Sequence, residues 1–229
     1  MSIQSALVIG AGSGVGKATA EALRAAGVNV TASGRERDAT DAREVEALLA
    51  ESDPDLVVVA AGTRPTMAPI DAQSWESFSA PWNVDVKIAF EVGRAALARP
   101  LRPGTTVAIV SSGAGVNPQG SPLSGGYAGA KRMQMFMAGY LQRAADARGL
   151  GIRVVSVAPM QFLEGTRIGR AAAEAYGAAA RASGESPVPR APVSLDPAGV
   201  ARELVAIVSG EEHPEATHFA VSGEGVNVL

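Results

Sequence analysis

The sequence predicts an α/β fold in which one domain is built on a doubly wound parallel sheet. Short β-branched runs alternate with longer Ala-rich stretches of helical periodicity, the pattern of a parallel sheet covered by helices on both faces. No internal repeat and no long linker divides the 229 residues. We therefore predict a single domain over residues 1–229, which is long enough to bury a large core.

The individual elements follow from hydrophobic periodicity and from Gly and Pro punctuation. Strands are predicted at 6–9, 28–33, 56–60, 106–110, 152–157 and 217–221. Helices are predicted at 17–26, 40–50, 127–148, 165–183 and 198–209, with two further helical pieces in 74–98 interrupted near Pro81. The Gly/Ser/Pro-rich stretch 111–126 is predicted to be a loop, and 184–197 an irregular segment.

Composition excludes several classes of function. The net charge is −3, which gives no reason to expect a nucleic-acid partner. Cysteine is absent and only 2 histidines occur, so we predict no disulfide, no metal site and no His-dependent triad. No apolar run approaches the roughly 20 residues that cross a bilayer, and no leader-like segment precedes the first strand. We expect a cytoplasmic protein without a membrane partner.

The first strand runs directly into a glycine-rich turn with a helix after it. Glycine permits positive φ and lets the backbone approach a ligand closely. A helix N-terminus then offers free N–H groups to a pyrophosphate. The spacing is G-x-x-x-G-x-G, and a tight turn of purely structural purpose remains an alternative. The predicted dinucleotide contacts here are Gly10, Gly12, Ser13, Gly14, Val15 and Gly16.

The end of the second strand predicts the choice between NADP(H) and NAD(H). A carboxylate at this point holds the ribose 2′-hydroxyl of NAD, but the chain has Gly34 there, after Ser33 and before Arg35. A guanidinium favours a 2′-phosphate. NADP(H) is the favoured cofactor, while Glu36 keeps NAD(H) possible and Arg35 has an alternative as an ordinary surface charge.

Tyr127 and Lys131 lie four residues apart at the start of a predicted helix and so share one face. Carbonyl reduction needs an acid that protonates the developing alkoxide, and a phenol serves near neutral pH only beside a cation. Only 3 tyrosines occur in the chain. The pair follows a strand that ends in Ser111-Ser112, at the sheet edge where α/β ligand sites form. An amphipathic helix start and serines bonded to local backbone remain alternatives.

Taken in order, these residues resemble the short-chain dehydrogenase/reductase family over residues 7–225. The resemblance implies a Rossmann-like NAD(P)-dependent oxidoreductase that reduces a carbonyl to an alcohol, or the reverse. The matching elements are Gly10/Gly14/Gly16, Asp38-Ala39, Ala60-Ala61-Gly62, Asn83, Ser111-Ser112, Tyr127-x-x-x-Lys131 and Ala158-Pro159.

By this resemblance four residues form the active site. Tyr127 is the acid/base, and Ser112, chosen over Ser111, polarises the substrate oxygen. Lys131 supports the phenolate and binds the nicotinamide ribose. Asn83 holds a water that links Lys131 to solvent, although it has an alternative as an ordinary helix residue beside Pro81.

The resemblance also assigns the remaining cofactor contacts, with some departures. Ala60, Ala61 and Gly62 stand where the family has a motif with side-chain amides. Their backbone would contact the adenosine. Met160 replaces a glycine after Pro159, so Phe162 would present the backbone to the carboxamide. The strand that the family has third, between residues 33 and 56 of this chain, is predicted to be short or missing near Asp38, so that Asp38 and Ala39 bracket the adenine. The stretch 116–124 contains an insertion, and 160–197 is the substrate-loop region.

Two other functions are alternatives to a carbonyl reductase. A non-catalytic dinucleotide-binding redox sensor would have no need of the Tyr127/Lys131 pair. Sugar-nucleotide epimerases and dehydratases share that pair but normally use a larger substrate region than 165–197. The substrate is expected to be a small carbonyl or alcohol, and the helices at 84–98 and 127–148 resemble those that form homodimers or homotetramers in the family.

Overall fold

The computed structural model describes residues 3–99, 101–118, 121–184, 193–210 and 213–229. Within these residues seven strands form one sheet in the order β2-β1-β3-β4-β5-β6-β7. All neighbours pair in parallel except β6 and β7. The strands are β1 (Ser5–Ile9), β2 (Asn29–Ser33), β3 (Leu56–Val59), β4 (Thr106–Val110), β5 (Arg153–Pro159), β6 (His218–Ser222) and β7 (Gly225–Val228).

Helices cover both faces of this sheet. They are α1 (Gly14–Ala25), α2 (Ala42–Ser52), α3 (Trp75–Pro81), α4 (Lys87–Ala98), α5 (Gly113–Val116), α6 (Gly125–Ala147), α7 (Arg167–Ser183) and α8 (Pro197–Ser209). A 3₁₀ turn (Ile70–Ala72) precedes α3, and a π-helical segment (Trp82–Val86) joins α3 to α4. No helix among the described residues is long and apolar enough to cross a membrane.

The alternation of side chains along the strands divides the core into two layers. Leu7 and Ile9 of β1 pack in one cluster with α2, α4 and α6. Val8, between them, packs in the other cluster with α1, α8 and Phe219 of β6. Because both layers are apolar, the sheet is buried on both faces, and its ligand-accessible edge is the one where the parallel strands end.

The predicted α/β class and the six predicted strands are confirmed, and the family's third strand, predicted to be short or missing near Asp38, is absent. Residues 34–41, between β2 and α2, contain no strand, which leaves β2 at the edge of the sheet. This stretch is rich in charged residues and has no β-branched run to pair with β2. The antiparallel β7 was not predicted.

Two local predictions need correction. The stretch 111–126 is not all loop, because α5 lies within it and α6 begins two residues earlier than predicted. The helical stretch 74–98 changes its winding at Pro81, as predicted, but continues as the π-helical segment rather than breaking. Proline has no N–H for the regular ladder, and π-helical turns of this kind are frequent at functional sites.

Candidate active site

The glycine turn lies between β1 and α1 and divides into packed and open positions. Gly10 has φ +93°, and a Cβ there would lie 2.4 Å from the Ala61 nitrogen. A Cβ on Gly16 would lie 2.3 Å from the Gly10 carbonyl oxygen. A Cβ on Gly12 would meet nothing within 4 Å in the described chain. Packing alone therefore explains Gly10 and Gly16, whereas Gly12 borders open space.

The N-terminus of α1 is available to an anion. The helix begins at Gly14, and the Ser13 side chain, at the N-cap, makes no capping hydrogen bond with the described residues. Val15 follows in the first turn with its side chain packed against one core layer. Free N–H groups beside an uncrowded Gly12 fit the pyrophosphate of a dinucleotide.

The end of β2 presents charges of both signs. Ser33 is buried, and its carbonyl oxygen accepts hydrogen bonds from Gly10 at 2.8 Å and Ala11 at 3.1 Å. Arg35 is exposed and has no ion-pair partner among the described residues. The Glu36 carboxylate folds back to accept a hydrogen bond from the Gly34 N–H at 2.5 Å. The backbone N–H groups of Gly34 and Glu36 lower the pKa of Glu36.

The other predicted nucleotide contacts lie nearby. Asp38 is exposed, and its Oδ1 accepts hydrogen bonds from the Thr40 N–H and hydroxyl. Ala39 is buried against the core. Ala60, Ala61 and Gly62 directly follow β3, where the Ala60 N–H donates to the Ile9 carbonyl at 2.9 Å. All of these positions lie at the carboxyl ends of β1, β2 and β3.

Tyr127, Lys131 and the serine pair meet at the end of β4. Ser112 is the N-cap of α5, and its hydroxyl accepts from the Ala114 N–H at 3.3 Å. Ser111 is buried and donates its hydroxyl to the Lys131 carbonyl at 2.8 Å. The Lys131 Nζ atom lies 5.4 Å from the centroid of the Tyr127 ring. Ser111 therefore fastens α6 to β4, and Ser112 is the partly exposed serine of the two.

Asn83 does not join this cluster. It is exposed on the π-helical segment, and its side-chain amide donates to the Ser79 hydroxyl at 3.4 Å. Two residues later on the same segment, Asp85 is buried, and its Oδ2 lies 3.1 Å from the Lys131 Nζ. The winding of the chain after Pro81 turns Asp85, and not Asn83, toward α6.

The predicted carboxamide contacts, Pro159 and Phe162, lie at the end of β5 and just after it. A Cβ on Gly113 would lie 2.9 Å from the Met160 Cα, so α5 packs closely on the chain after Pro159. The Phe162 ring is half exposed and stacks on Tyr176 of α7 at a centroid distance of 5.7 Å. The Tyr176 hydroxyl is hydrogen-bonded to Ser121, which in turn contacts Ser124 at 2.6 Å.

The substrate-loop region contains α7, whose N-terminal end lies near the glycine turn. Thr166, the N-cap of α7, is 3.8 Å from the Cβ position of Gly14. Farther along, Glu174 and residue Arg64 line a cavity of about 580 Å³ between α7 and the chain after β3. Within the predicted region 160–197, residues 185–192 lie outside the described residues, as do 119–120 of the predicted insertion.

The comparisons with known proteins decide the family. The sequence model of the NAD dependent epimerase/dehydratase family matches residues 6–181, about three quarters of the chain. The chain belongs to this family. A comparison with curated proteins found no match.

Solved structures share the fold of this family member. A short-chain dehydrogenase from Mycobacterium avium matches with a TM-score of 0.71 at 22% identity, covering 98% of this chain and 84% of that one. A short-chain dehydrogenase from Burkholderia cenocepacia J2315, solved in complex with NADP, matches with a TM-score of 0.71 at 21% identity and covers 96% of both chains. The predicted resemblance to short-chain dehydrogenases is confirmed.

Sequence reasoning missed Asp85 in this NAD dependent epimerase/dehydratase family member. The family resemblance implies an asparagine at this position of the site, and Asn83 is the asparagine near Pro81. Helical spacing was the available signal, because Asp85 stands between Val84 and Val86 at the point where the helix becomes apolar. A lone acid there predicts a buried partner of opposite charge.

Proposed function

We propose that this protein is an NAD(P)-dependent oxidoreductase that reduces a small carbonyl compound to an alcohol, or runs the reverse reaction. The observation that carries the proposal is the position of Tyr127. It lies in the first turn of α6 with the Lys131 ammonium 5.4 Å from its ring centroid, beside the β4 end that carries Ser112. A phenol beside a buried cation is suited to exchange a proton with an alkoxide.

The residues would divide the chemistry as follows. A nicotinamide cofactor, when bound along the glycine turn, supplies or accepts the hydride. Tyr127 gives its phenolic proton to the substrate oxygen during reduction and removes it during oxidation. Ser112 donates a hydrogen bond to the same oxygen as charge develops there. Lys131 stabilises the phenolate by its positive charge.

We further propose that NADP(H) is preferred to NAD(H). Arg35 supports this preference because its guanidinium is exposed at the end of β2 and is not committed to an ion pair in the described chain. A 2′-phosphate there would gain charge-assisted hydrogen bonds. Glu36 opposes it, because its carboxylate occupies the Gly34 N–H and an anionic ligand would have to displace it.

A homodimer or homotetramer forms part of the proposal, together with a cytoplasmic location. On α4 the Phe90 side chain is half exposed, and on α6 the exposed rings of Phe136 and Tyr140 stack at a centroid distance of 6.2 Å. Burying such aromatic groups against a second copy would be favourable. Sedimentation of the protein tests this point.

The function is tested with the purified protein, NADPH and a panel of aldehydes and ketones. We expect tight, saturable binding of NADPH and oxidation of NADPH with at least one carbonyl, followed by its near-ultraviolet absorbance. Failure to bind either dinucleotide contradicts the proposal. If NADPH binds tightly but no carbonyl of the panel is reduced, either by the wild type or by a Tyr127→Phe variant, the alternative of a redox sensor is favoured.

A further inference from the structure

The Lys131 ammonium is surrounded by buried polar groups. Lys131 is 6% exposed, Asp85 1% and Gln134 0%. The Nζ atom lies 3.1 Å from the Asp85 Oδ2 and donates to the Gln134 Oε1 at 2.9 Å and to the Val110 carbonyl at 3.4 Å. Two of these contacts are hydrogen bonds, and the third is an ion pair whose carboxylate oxygen has no hydrogen-bond partner among the described residues.

Asp85 is itself held from a second side. Its Oδ1 accepts a hydrogen bond from the Thr63 N–H at 2.7 Å. A Cβ on Gly62 would lie 2.7 Å from its Oδ2, so the close approach requires glycine there. The Gln134 side chain, which accepts from Lys131, donates to the Asp85 carbonyl at 2.9 Å. The carboxylate therefore has one fixed place, in contact with the lysine.

The charges around this pair come from few elements. The π-helical segment contributes Asp85, and α6 contributes Lys131 and Tyr127. Residues 106–116, which form β4 and α5, carry no charged side chain. Arg64, next to Thr63, lines the cavity facing α7. Burial lowers the pKa of Lys131, but the charges of Asp85 and Tyr127 outweigh it, so that the pKa of Lys131 is raised.

We propose that Asp85 is a positioning residue that holds Lys131 beside Tyr127 and offsets part of the charge of its ammonium. This inference rests on the proposed function. A lone buried ammonium would stabilise the phenolate, the form that removes a proton from an alcohol. With the carboxylate 3.1 Å from the ammonium, the pair carries less net charge and stabilises the phenolate less than a lone ammonium would.

Two variants change the charge in opposite directions. Asp85→Asn removes the negative charge and keeps the shape, so the acid limb of the pH profile for alcohol oxidation should move to lower pH by about one unit. Gln134→Glu adds a negative charge at the atom that Lys131 already contacts, so the limb should move to higher pH. Asp71→Asn, an exposed change of charge on the 3₁₀ turn, is the matched control and should leave the profile in place.

A second readout needs neither cofactor nor turnover. Phenolate absorbance of the cofactor-free protein is titrated against pH, and Asp85→Asn should make one tyrosine ionise at lower pH than in the wild type. That early step should vanish in the double variant Asp85→Asn/Tyr127→Phe. Because the chain has 3 tyrosines, the step is readily assigned.

The two proposals fail in different ways. If the wild type turns over but neither variant moves the profile or the phenolate titration, the role of Asp85 is overturned and the proposed function stands. If the titration shifts but no carbonyl is reduced, the proposed function fails while the charge relationship holds. If Asp85→Asn does not fold, Gln134→Glu decides, and an unmoved phenolate titration in that variant overturns the inference.

Discussion

The Ser111 hydroxyl donates to the Lys131 carbonyl at 2.8 Å, which ties the end of β4 to the first turns of α6. This bond explains why two adjacent serines have different tasks. Ser111 is 4% exposed and its hydroxyl bonds the α6 backbone, while Ser112, one residue on, is partly exposed. Replacing each serine by alanine can therefore separate an effect on stability from an effect on catalysis.

Ser112→Ala should lower kcat/KM by about 100-fold, the loss expected for a donor that stabilises a developing oxyanion, with little change in the free energy of unfolding. Ser111→Ala should instead lower the free energy of unfolding by about 0.5–1.5 kcal/mol, because it removes a buried hydrogen bond between β4 and α6. Steady-state kinetics and urea unfolding of both proteins provide the measurement. Equal kinetic losses in the two variants would contradict the assignment of Ser112.

Tyr127→Phe should abolish turnover while leaving NADPH affinity nearly unchanged, because it removes only the hydroxyl that exchanges the proton. Tyr140→Phe is the matched control, since Tyr140 is on the same helix but is exposed and stacked on Phe136. Turnover and binding are measured on both. A Tyr127→Phe protein that reduces its substrate at the wild-type rate removes Tyr127 from the mechanism.

The glycine turn predicts contrasting effects of the same substitution. Gly12→Ala should fold normally, because its Cβ enters open space in the described chain, but should weaken dinucleotide binding at least about tenfold by crowding the pyrophosphate. Gly16→Ala should unfold at lower denaturant concentration, since its Cβ would meet the Gly10 carbonyl at 2.3 Å. Unchanged dinucleotide affinity in Gly12→Ala would show that the turn is purely structural.

Arg35→Asp should reverse the cofactor preference, because it removes the cation for a 2′-phosphate and supplies an acceptor for a 2′-hydroxyl. Glu36→Gln should act in the other direction and tighten NADPH binding, since the group that occupies the Gly34 N–H loses its charge. Dissociation constants for NADPH and NADH, measured at one ionic strength, give the answer. Equal affinities of the wild type for the two cofactors would refute the role of Arg35.

Acid stability should depend on Asp55. Burial raises the pKa of Asp55, but hydrogen bonds from the Gln4 and Ser5 N–H groups and the charge of Arg102 outweigh it and leave the pKa below its ordinary value of 3.8. A lowered pKa stabilises the fold above 3.8 and ceases to do so as the pH falls through the folded-state value. Asp55→Asn should therefore be less stable than the wild type at neutral pH, and the difference should shrink in acid.

Thermal unfolding from neutral pH to below pH 3.8 tests this dependence. Glu224→Gln, an exposed change in the turn before β7, serves as the control and should run parallel to the wild type. A constant difference between Asp55→Asn and the wild type at all pH values would mean that the charge of Asp55 is not what stabilises β1.

The sequence predicts the fold well because periodicity is a local signal. The apolar runs 56–60 and 107–110 predict buried strands between helices, and both strands are in the sheet centre. The charged stretch Arg35–Asp38 explains why the family's third strand is absent from this chain. β7 was not predicted because a strand of four residues after a turn shows little periodicity.

The site was only partly predictable, because contacts across the sheet edge depend on helix winding. Tyr127 and Lys131 are one turn apart on a regular helix, so their proximity follows from spacing. Asp85 meets Lys131 only because the chain continues after Pro81 as a π-helical segment, which changes the face presented by each residue. An acid between Val84 and Val86 predicts a buried partner of opposite charge, but no pattern in the sequence predicts the π-helical winding that makes Lys131 this partner.

A crystal structure of the protein with NADP tests the central claim most directly. The account predicts the pyrophosphate at the N-terminus of α1 beside Gly12, and the nicotinamide ring at the end of β4, close enough to the Tyr127 hydroxyl for both to reach one substrate carbonyl at about 3–3.5 Å. A cofactor bound away from the glycine turn, or a Tyr127 hydroxyl that points away from the nicotinamide, would contradict it.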